Sequence, residues 1–493
     1  MSVGTPRCWL PAGYQPITFP ALAPAATRTA TVGWPNSWIS GTAYLSSPDS
    51  ASSRMASVTT FDSACRRVAC RNHQRTGDSL RAELEEHARS SEEIPLDTNP
   101  VIEMLGRPLR LAVIGGGPGS FIGAMHRTAA RLDGRYQLVA GVVSTDPDRS
   151  RKAAAGMGID PSRAYTDAIG MLDAERERAD GAEVVAIMTP NDSHHRFALA
   201  ALDRGFDVIC EKPMTNTLDE ALDIVHKVDA TGLVFCLTHN YTGYPMVRQA
   251  RALVDDGQVG EIRLVQVEYV QGGKADESDP DPAGGLPWRY HPVRGGPSLV
   301  MGDIGTHAHN LVRFVTGLEV TEVAAEIGHV IPQRPVDDYG AAMLRFDNGA
   351  RGTFWVTQTA AGVENGLRIR VSGTKGSLEW HQERPTRLTF KPLDGPVRMY
   401  TPNGPGTLPG AARASRIVAG HPEGFHEAFA NIYSDAAEAI AARRSGREPD
   451  PLALQFPNER DGAIGVKFVE AAVASSDANG LWTDARLSFE EKS

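Results

Sequence analysis

Glu211 and Lys212 stand side by side at the end of a short apolar run, Val208-Ile209-Cys210, and Pro213 follows at once. An acid and a base at the tip of a buried strand are either a surface accident or part of a site. A second polar group lies in TPNDSHH at 189 to 195, where Thr189, Asn191 and His194 again follow an apolar run cut short by a proline. A third is RGGPSLVMGDIGTHAHNLVRFVTG, in which Asp303 and His307 are four residues apart. In a helix that spacing puts both side chains on one face, with Asn310 three further along. A carboxylate beside an imidazole raises its pKa and fixes its orientation, which suits a general base. The plainer alternative is an ion pair on a helix surface. His309 points elsewhere on the same helix, and His307-Ala308-His309 lacks a third ligand, so no metal is expected.

What must position these groups is legible in the hydrophobic pattern. LRLAVIGGG, from Leu109, is an apolar run entering glycines, as expected of a buried parallel strand. Helical and apolar stretches then alternate: helices near 122 to 132, 148 to 158, 194 to 204 and 217 to 230, and strands in YQLVAGVVS, AEVVAIMTP, FDVICEKP and LVFCLTHN. That alternation predicts a doubly wound α/β domain over residues 107 to 238. Ligands bind beyond the carboxyl ends of such strands, so the TPN and EKP tips should share one crevice. From residue 239 to 493 alternating runs dominate, with Asp347-Asn348-Gly349 as a hairpin signal. This half reads as an α+β domain with a large, mostly antiparallel, open-faced sheet, closed by helices near 424 to 443 and 459 to 476.

The glycine loop VIGGGPGSFIG joins the first strand to the first helix, where glycines let a backbone approach a pyrophosphate. Gly115 and Gly117 fit the first two positions of the nucleotide fingerprint. Ser120 stands where the strict third glycine falls, and an insertion brings Ile122-Gly123 into that role. At the end of the second strand Ser144 is followed by Asp146, with Arg149 and Arg151 nearby. The acid favours NAD; the serine and arginines would admit a 2′-phosphate, so NADP stays open.

The whole chain has 493 residues, 41% hydrophobic and 22% charged, with a formal net charge of −10. That balance argues against nucleic-acid and anionic-membrane partners. Five scattered cysteines without metal or disulfide spacing suit a reducing, cytoplasmic setting. Residues 1 to 106 are rich in Ala, Ser, Thr, Pro and Gly, with no sustained period. They read as a disordered or atypical extension, with one exposed polar helix near 79 to 93.

Taken in order, the glycine loop, TPN with His194, EKP, HNYTGYP, Trp288-Arg289, the GG…D-x-G-x-H run and HPEGFHEAFANIY resemble the Gfo/Idh/MocA oxidoreductases over about residues 107 to 485. The resemblance implies NAD or NADP as cofactor, and Lys212, Asp303 and His307 as catalytic residues. His307 would take a hydroxyl proton as the hydride leaves for the nicotinamide, and Lys212 would stabilise the same oxygen. Phe121, Ile122, Ser144, Thr189, Asn191, His194, Glu211 and Lys212 itself join the glycines as cofactor contacts. Asn240, Tyr241, Trp288 and Arg289, with His421, become candidates for the substrate pocket, where Asp303 and His307 would also bind substrate. The implied activity is oxidation of a ring hydroxyl of a cyclic polyol or sugar, an inositol or a pyranose, by a homodimer or homotetramer. An NAD-dependent glycosidase using transient oxidation, and a non-catalytic nucleotide sensor, are the competing expectations.

Overall fold

The structure is a computed structural model, and it describes residues 99–281 and 285–489. The expected polar helix near 79 to 93 and three of the cysteines lie outside the described residues. Asn99 opens helix α1 (Pro100–Leu105) by accepting the backbone N–H of Val101. Val101 is fully buried.

Five strands, β1 (Leu109–Gly115), β2 (Tyr136–Val142), β3 (Val184–Met188), β4 (Asp207–Cys210) and β5 (Phe235–Leu237), form a parallel sheet in the order β2-β1-β3-β4-β5. The order reverses between β1 and β3, so the crevice for a ligand opens there. All of β3 and β4 is buried, because helices cover both faces. The interleaved helices are α2 (Phe121–Leu132), α3 (Pro147–Gly156), α4 (Ala168–Glu177), α5 (His194–Asp203) and α6 (Leu218–Thr231). The hydrophobic pattern gave no hint of α4.

Successive strand residues point to opposite faces. Ala112 and Ile114 join one hydrophobic cluster with Val185, Ile187 and Val208; Leu111 and Val113 join another with Ala186 and Ile209. That second cluster also contains Phe429, Ile432, Tyr433 and Ile440, far along the chain. They belong to α10 (Phe425–Ser445), which follows the short α9 (Pro409–Arg413) and returns across the parallel sheet beside α1 and α2. The helix is buried nearly all round from Ala428 to Ala442, and its buried polar groups are paired: Asp435 with Arg248 and Arg413, Glu438 with Arg413. Arg443 at its end reaches the wholly buried Asp207, Nη2 to Oδ2 2.8 Å.

The second sheet has nine strands. In chain order they are β6 (Ile262–Gln271), β7 (Val320–Gly328), β8 (Tyr339–Phe346), β9 (Arg351–Thr357), β10 (Asn365–Gly373), β11 (Gly376–His381), β12 (Leu388–Pro392), β13 (Arg398–Tyr400) and β14 (Thr483–Asp484). Their spatial order is β13-β12-β11-β10-β6-β9-β8-β7-β14, antiparallel throughout except between β6 and β9. Gly349, at φ +87°, turns β8 into β9 as the Asp-Asn-Gly signal required. Inward residues such as Val265, Val267, Phe354 and Ile369 pack under α7 (Pro245–Asp255) and α8 (Thr306–Thr316). The other face exposes Leu264, Met343 and Trp355. Among the described residues no helix is long and apolar enough to cross a membrane.

Candidate active site

A cavity of about 530 Å³ opens where the strand tips of the parallel sheet meet the second sheet. Phe121 and Ile122 line it from the start of α2; Thr189, Asn191 and His194 from the tip of β3; Glu211 and Lys212 from the tip of β4. Asn240 and Tyr241 follow β5, while Trp288, Arg289, Asp303 and His307 come from the second half of the chain. Gly115, Gly117 and Ser144 are outside this lining. So are Asn310 and His421: Asn310 borders a separate recess with Arg251 and Arg313, and His421 is exposed beside Val418.

The glycine turn is tight for a stated reason. A Cβ on Gly117 would lie 2.1 Å from the carbonyl oxygen of Val143, and one on Gly123 would lie 2.1 Å from that of Gly116. Gly123 therefore provides the close helix–strand approach that the third glycine of the fingerprint provides elsewhere. Ser120, at the position where that glycine was missing, caps α2 by accepting the N–H of Gly123 at 3.1 Å. Asp146 caps α3 through Arg149 N at 2.7 Å, so its carboxylate is partly engaged by its own helix.

Beyond the strand tips the polar groups are held in pairs. The Nδ1 and Nε2 atoms of His194 lie 2.9 Å from the carbonyl oxygens of Pro213 and Thr189, tying the two tips together. Glu211 Oε1 meets His126 Nε2 at 2.9 Å and also accepts from the Thr238 hydroxyl, while Oε2 is left open to the cavity. Burial is the largest single influence and would raise the Glu211 carboxyl, but His126, the Lys212 ammonium and the Thr238 hydroxyl together outweigh it, and the group sits below its ordinary value. Asn240 Nδ2 is buried without a partner.

Lys212 Nζ donates to the Asp303 carbonyl at 2.7 Å and to Asp303 Oδ1 at 3.0 Å. Asp303 Oδ2 accepts from Gln358 Nε2 at 2.9 Å. Asp303 sits in a π-helical turn, Met301–Gly305, rather than in a regular helix with His307. Such turns recur at functional sites because they re-aim side chains. Burial opposes ionisation of Asp303, yet the Lys212 ammonium, with Arg289 beyond it, holds the carboxyl well below the usual range.

Here the sequence expectation is corrected. Asp303 is spent on Lys212 and Gln358, and the ring nitrogen of His307 meets His239 instead, Nδ1 to Nδ1 at 3.4 Å. Burial, then the Lys212 charge and His239, push the His307 imidazole well below its ordinary value, and Asp303 opposes this only in part. The side chain is neutral, with Nε2 open to the cavity. Asn310 does not add to this face.

Several residues that complete the site were not singled out beforehand. Gln271 closes β6, Gln358 follows β9 and Asn365 opens β10, three neighbouring strands; Gln271 Nε2 donates to Asn365 Oδ1 at 2.7 Å, and Gln358 Nε2 lies 3.1 Å from Gln271 Oε1. Tyr269 joins them, hydrogen-bonded to both Tyr241 and Asn365. Each amide continues the inward phase of an apolar strand, as in Val265, Val267, Tyr269, Gln271, and a polar residue in that phase was the signal available.

The Gly117 approach, the capped helix start, the open Glu211 oxygen and the unpartnered Asn240 amide fit a dinucleotide whose reactive end reaches this cavity. Fold and cleft together define the class: an oxidoreductase that works on CH–OH groups with a nicotinamide dinucleotide. Residues 109–239 match the model of an oxidoreductase family with an NAD-binding Rossmann fold, and residues 247–379 match the GFO/IDH/MocA C-terminal domain. The chain belongs to the Gfo/Idh/MocA family. An uncharacterized oxidoreductase, YfiI, of Bacillus subtilis (strain 168) is 33% identical over 384 residues, covering 77% of this chain and 98% of that protein. The crystal structure of an oxidoreductase from Sinorhizobium meliloti is 46% identical, with a TM-score of 0.69, over 76% of this chain and 99% of that one. That of an inositol dehydrogenase homolog from Azotobacter vinelandii, complexed with NADH and myo-inositol, is 36% identical, with a TM-score of 0.71, over 77% and 98%.

Gly117→Ala checks the glycine reading. The added methyl meets the Val143 carbonyl, so either β2 or the turn must move. Thermal unfolding should report a loss of about 1–3 kcal/mol, and NADH titration by fluorescence a weaker affinity; unchanged NADH affinity would contradict the assignment.

Proposed function

We propose that this chain oxidises a ring hydroxyl of a cyclic polyol or sugar, an inositol or a pyranose, to the ketone, with NAD as its main acceptor. The observation that carries the reading is the meeting of Lys212, Asp303 and His307 in one cavity, with His307 Nε2 unbonded and facing it. Gly115, Gly117, Phe121, Ile122 and Ser144 would hold the pyrophosphate and adenosine end. Thr189, Asn191, His194 and Glu211 would flank the nicotinamide ribose, with the open Glu211 oxygen as the natural acceptor for its hydroxyls. When bound, the nicotinamide supplies the acceptor for a hydride, two electrons and a proton's mass, at its C4.

The chain's own side chains do the rest. His307 Nε2 takes the hydroxyl proton as the C–H bond yields its electron pair and the C–O bond becomes a carbonyl. Lys212 Nζ donates to the same oxygen, where negative charge develops. Asp303 remains anionic and keeps Lys212 aimed. Asn240 Nδ2, unpartnered, is a donor for a further substrate hydroxyl, and Trp288 and Arg289 close the outer wall. In this reading residues 107–238 form the nucleotide-binding domain and 239–493 the substrate-binding and oligomerisation domain. The exposed sheet face around Met343 and Trp355 would join protomers into a homodimer or homotetramer, and a cytoplasmic setting suits the unpaired, buried Cys210 and Cys236.

The test is a panel of inositols and pyranoses offered with NAD and with NADP to the purified chain. Reduced nicotinamide should accumulate with at least one cyclic polyol or sugar. Glycoside cleavage without net reduction would transfer the protein to the glycosidase reading, and silence across the panel would remove the proposal.

A further inference from the structure

His239 follows β5 and has no part in the reaction as derived above, yet among the described residues it is the one side chain that hydrogen-bonds a His307 ring nitrogen. Its backbone is anchored: its carbonyl accepts from the Thr242 hydroxyl at 2.9 Å and from the Thr242 N–H at 3.2 Å. The two rings cross nearly at right angles, 80°, with centroids 5.2 Å apart. Tyr241 and Tyr269 hold the other sides of His307, at 4.8 and 6.2 Å between centroids, edge-on rather than through hydrogen bonds to its nitrogens. The His307 ring therefore has one polar partner outside the cavity.

A neutral imidazole carries one N–H and one lone pair, and the hydrogen bond made by one nitrogen decides what the other presents. In an Nδ1 to Nδ1 contact one ring must donate and the other accept. The cavity beyond His307 Nε2 contains the Lys212 ammonium, whose charge favours a lone pair facing it over an N–H. That sets the direction: His307 donates and His239 accepts. We propose that His239 is a positioning residue, which accepts Nδ1–H from His307 and thereby holds the Nε2 lone pair towards the substrate hydroxyl. This rests on His307 being the base, and it adds a residue that neither motif nor family comparison assigns.

The same contact acts during the reaction. Once Nε2 has taken the proton, the imidazolium still donates Nδ1–H to His239, and a charged donor strengthens that bond. Groups facing the pair are Glu211 and Lys212 from the tip of β4, Asp303 from the π turn, His309 and Arg313 from α8, and the Tyr241 and Tyr269 hydroxyls. None of these hydrogen-bonds a His307 ring nitrogen, as His239 does.

The experiment compares His239→Phe, which keeps a ring and removes the acceptor, with His239→Gln, whose carbonyl can still accept. His239→Phe should lower kcat about tenfold, the worth of one hydrogen bond, with KM for NAD unchanged, and His239→Gln should recover most of it. In parallel, ¹⁵N–¹H spectra of histidine-labelled wild-type protein should show His307 as the Nδ1–H tautomer. A His307 found as the Nε2–H tautomer overturns the proposal, even if His239→Phe fails to fold. So does a His239→Phe enzyme with wild-type kcat. If His307→Asn is itself active, the reading of His307 as base fails instead, and the two failures are told apart.

Discussion

Lys212→Ala lowers kcat by a factor on the order of 10²–10³, the usual loss when a donor to a developing oxyanion is removed. NADH binding should hardly change, because the glycine turn and the His194 tie between strand tips do not depend on this side chain. The loss has two parts. The substrate oxygen loses its cation, and Asp303 loses the partner that holds it ionised at Oδ1. With burial then opposed chiefly by the more distant Arg289 and Lys274, the Asp303 carboxyl rises and becomes neutral more readily. Lys212→Met combined with Asp303→Asn separates the parts, since the pair is then removed without leaving a lone charge. The double variant should regain the melting temperature lost in Lys212→Met but none of the kcat. A change confined to KM in Lys212→Ala would mean that the ammonium only binds substrate, and the oxyanion role would be withdrawn.

The tip of β4 was legible in the sequence because its physics is local. Val208 to Cys210 must be buried, Pro213 stops the strand, and Glu211 and Lys212 then emerge at the crevice end of a parallel sheet. The glycine turn was legible for the same reason, and Gly123 could be placed in the third position despite the insertion. The error at Asp303 and His307 shows where such reading stops. Four-residue spacing assumes a regular helix, and the π turn Met301–Gly305 breaks that assumption, so Asp303 turned to Lys212, ninety-one positions earlier in the chain. Long-range pairing of this kind has no local signature. Nor had α10, which read as a closing helix but gave no sign that it completes the core on one face of the parallel sheet. The amide row of Gln271, Gln358 and Asn365 was readable in principle, as polar residues in the inward phase of apolar strands. It needed the strand order β10-β6-β9 to become a row.

His307→Asn should lower kcat on the order of 10²–10⁴-fold, the range for loss of a general base, and its consequence for pH is as informative as the loss itself. A base held neutral by burial and by a neighbouring ammonium is a weak base, so His307 alone would draw the hydroxyl proton poorly. Lys212 offsets this by stabilising the alkoxide as it forms, which is why the same cation that depresses the imidazole makes the depressed imidazole sufficient. Wild-type kcat/KM should therefore hold its value as pH falls through 6.5, the ordinary histidine value, and decline only well below it. The stability of the fold moves the other way. An unfolded chain takes up protons on His307 and His239 near pH 6.5, whereas the folded chain excludes them, with His239 pushed down to about 3. Unfolding thus binds protons, and stability falls as pH drops below 6.5, by up to about 1.4 kcal/mol per pH unit for each excluded proton. His307→Asn removes one such site, so its melting temperature should depend less steeply on pH than that of the wild type in the same window. Parallel melting curves against pH check the sign, and kcat/KM profiles check the base. An acid limb of kcat/KM near 6.5 that survives in His307→Asn would assign the proton to another group and sink this account.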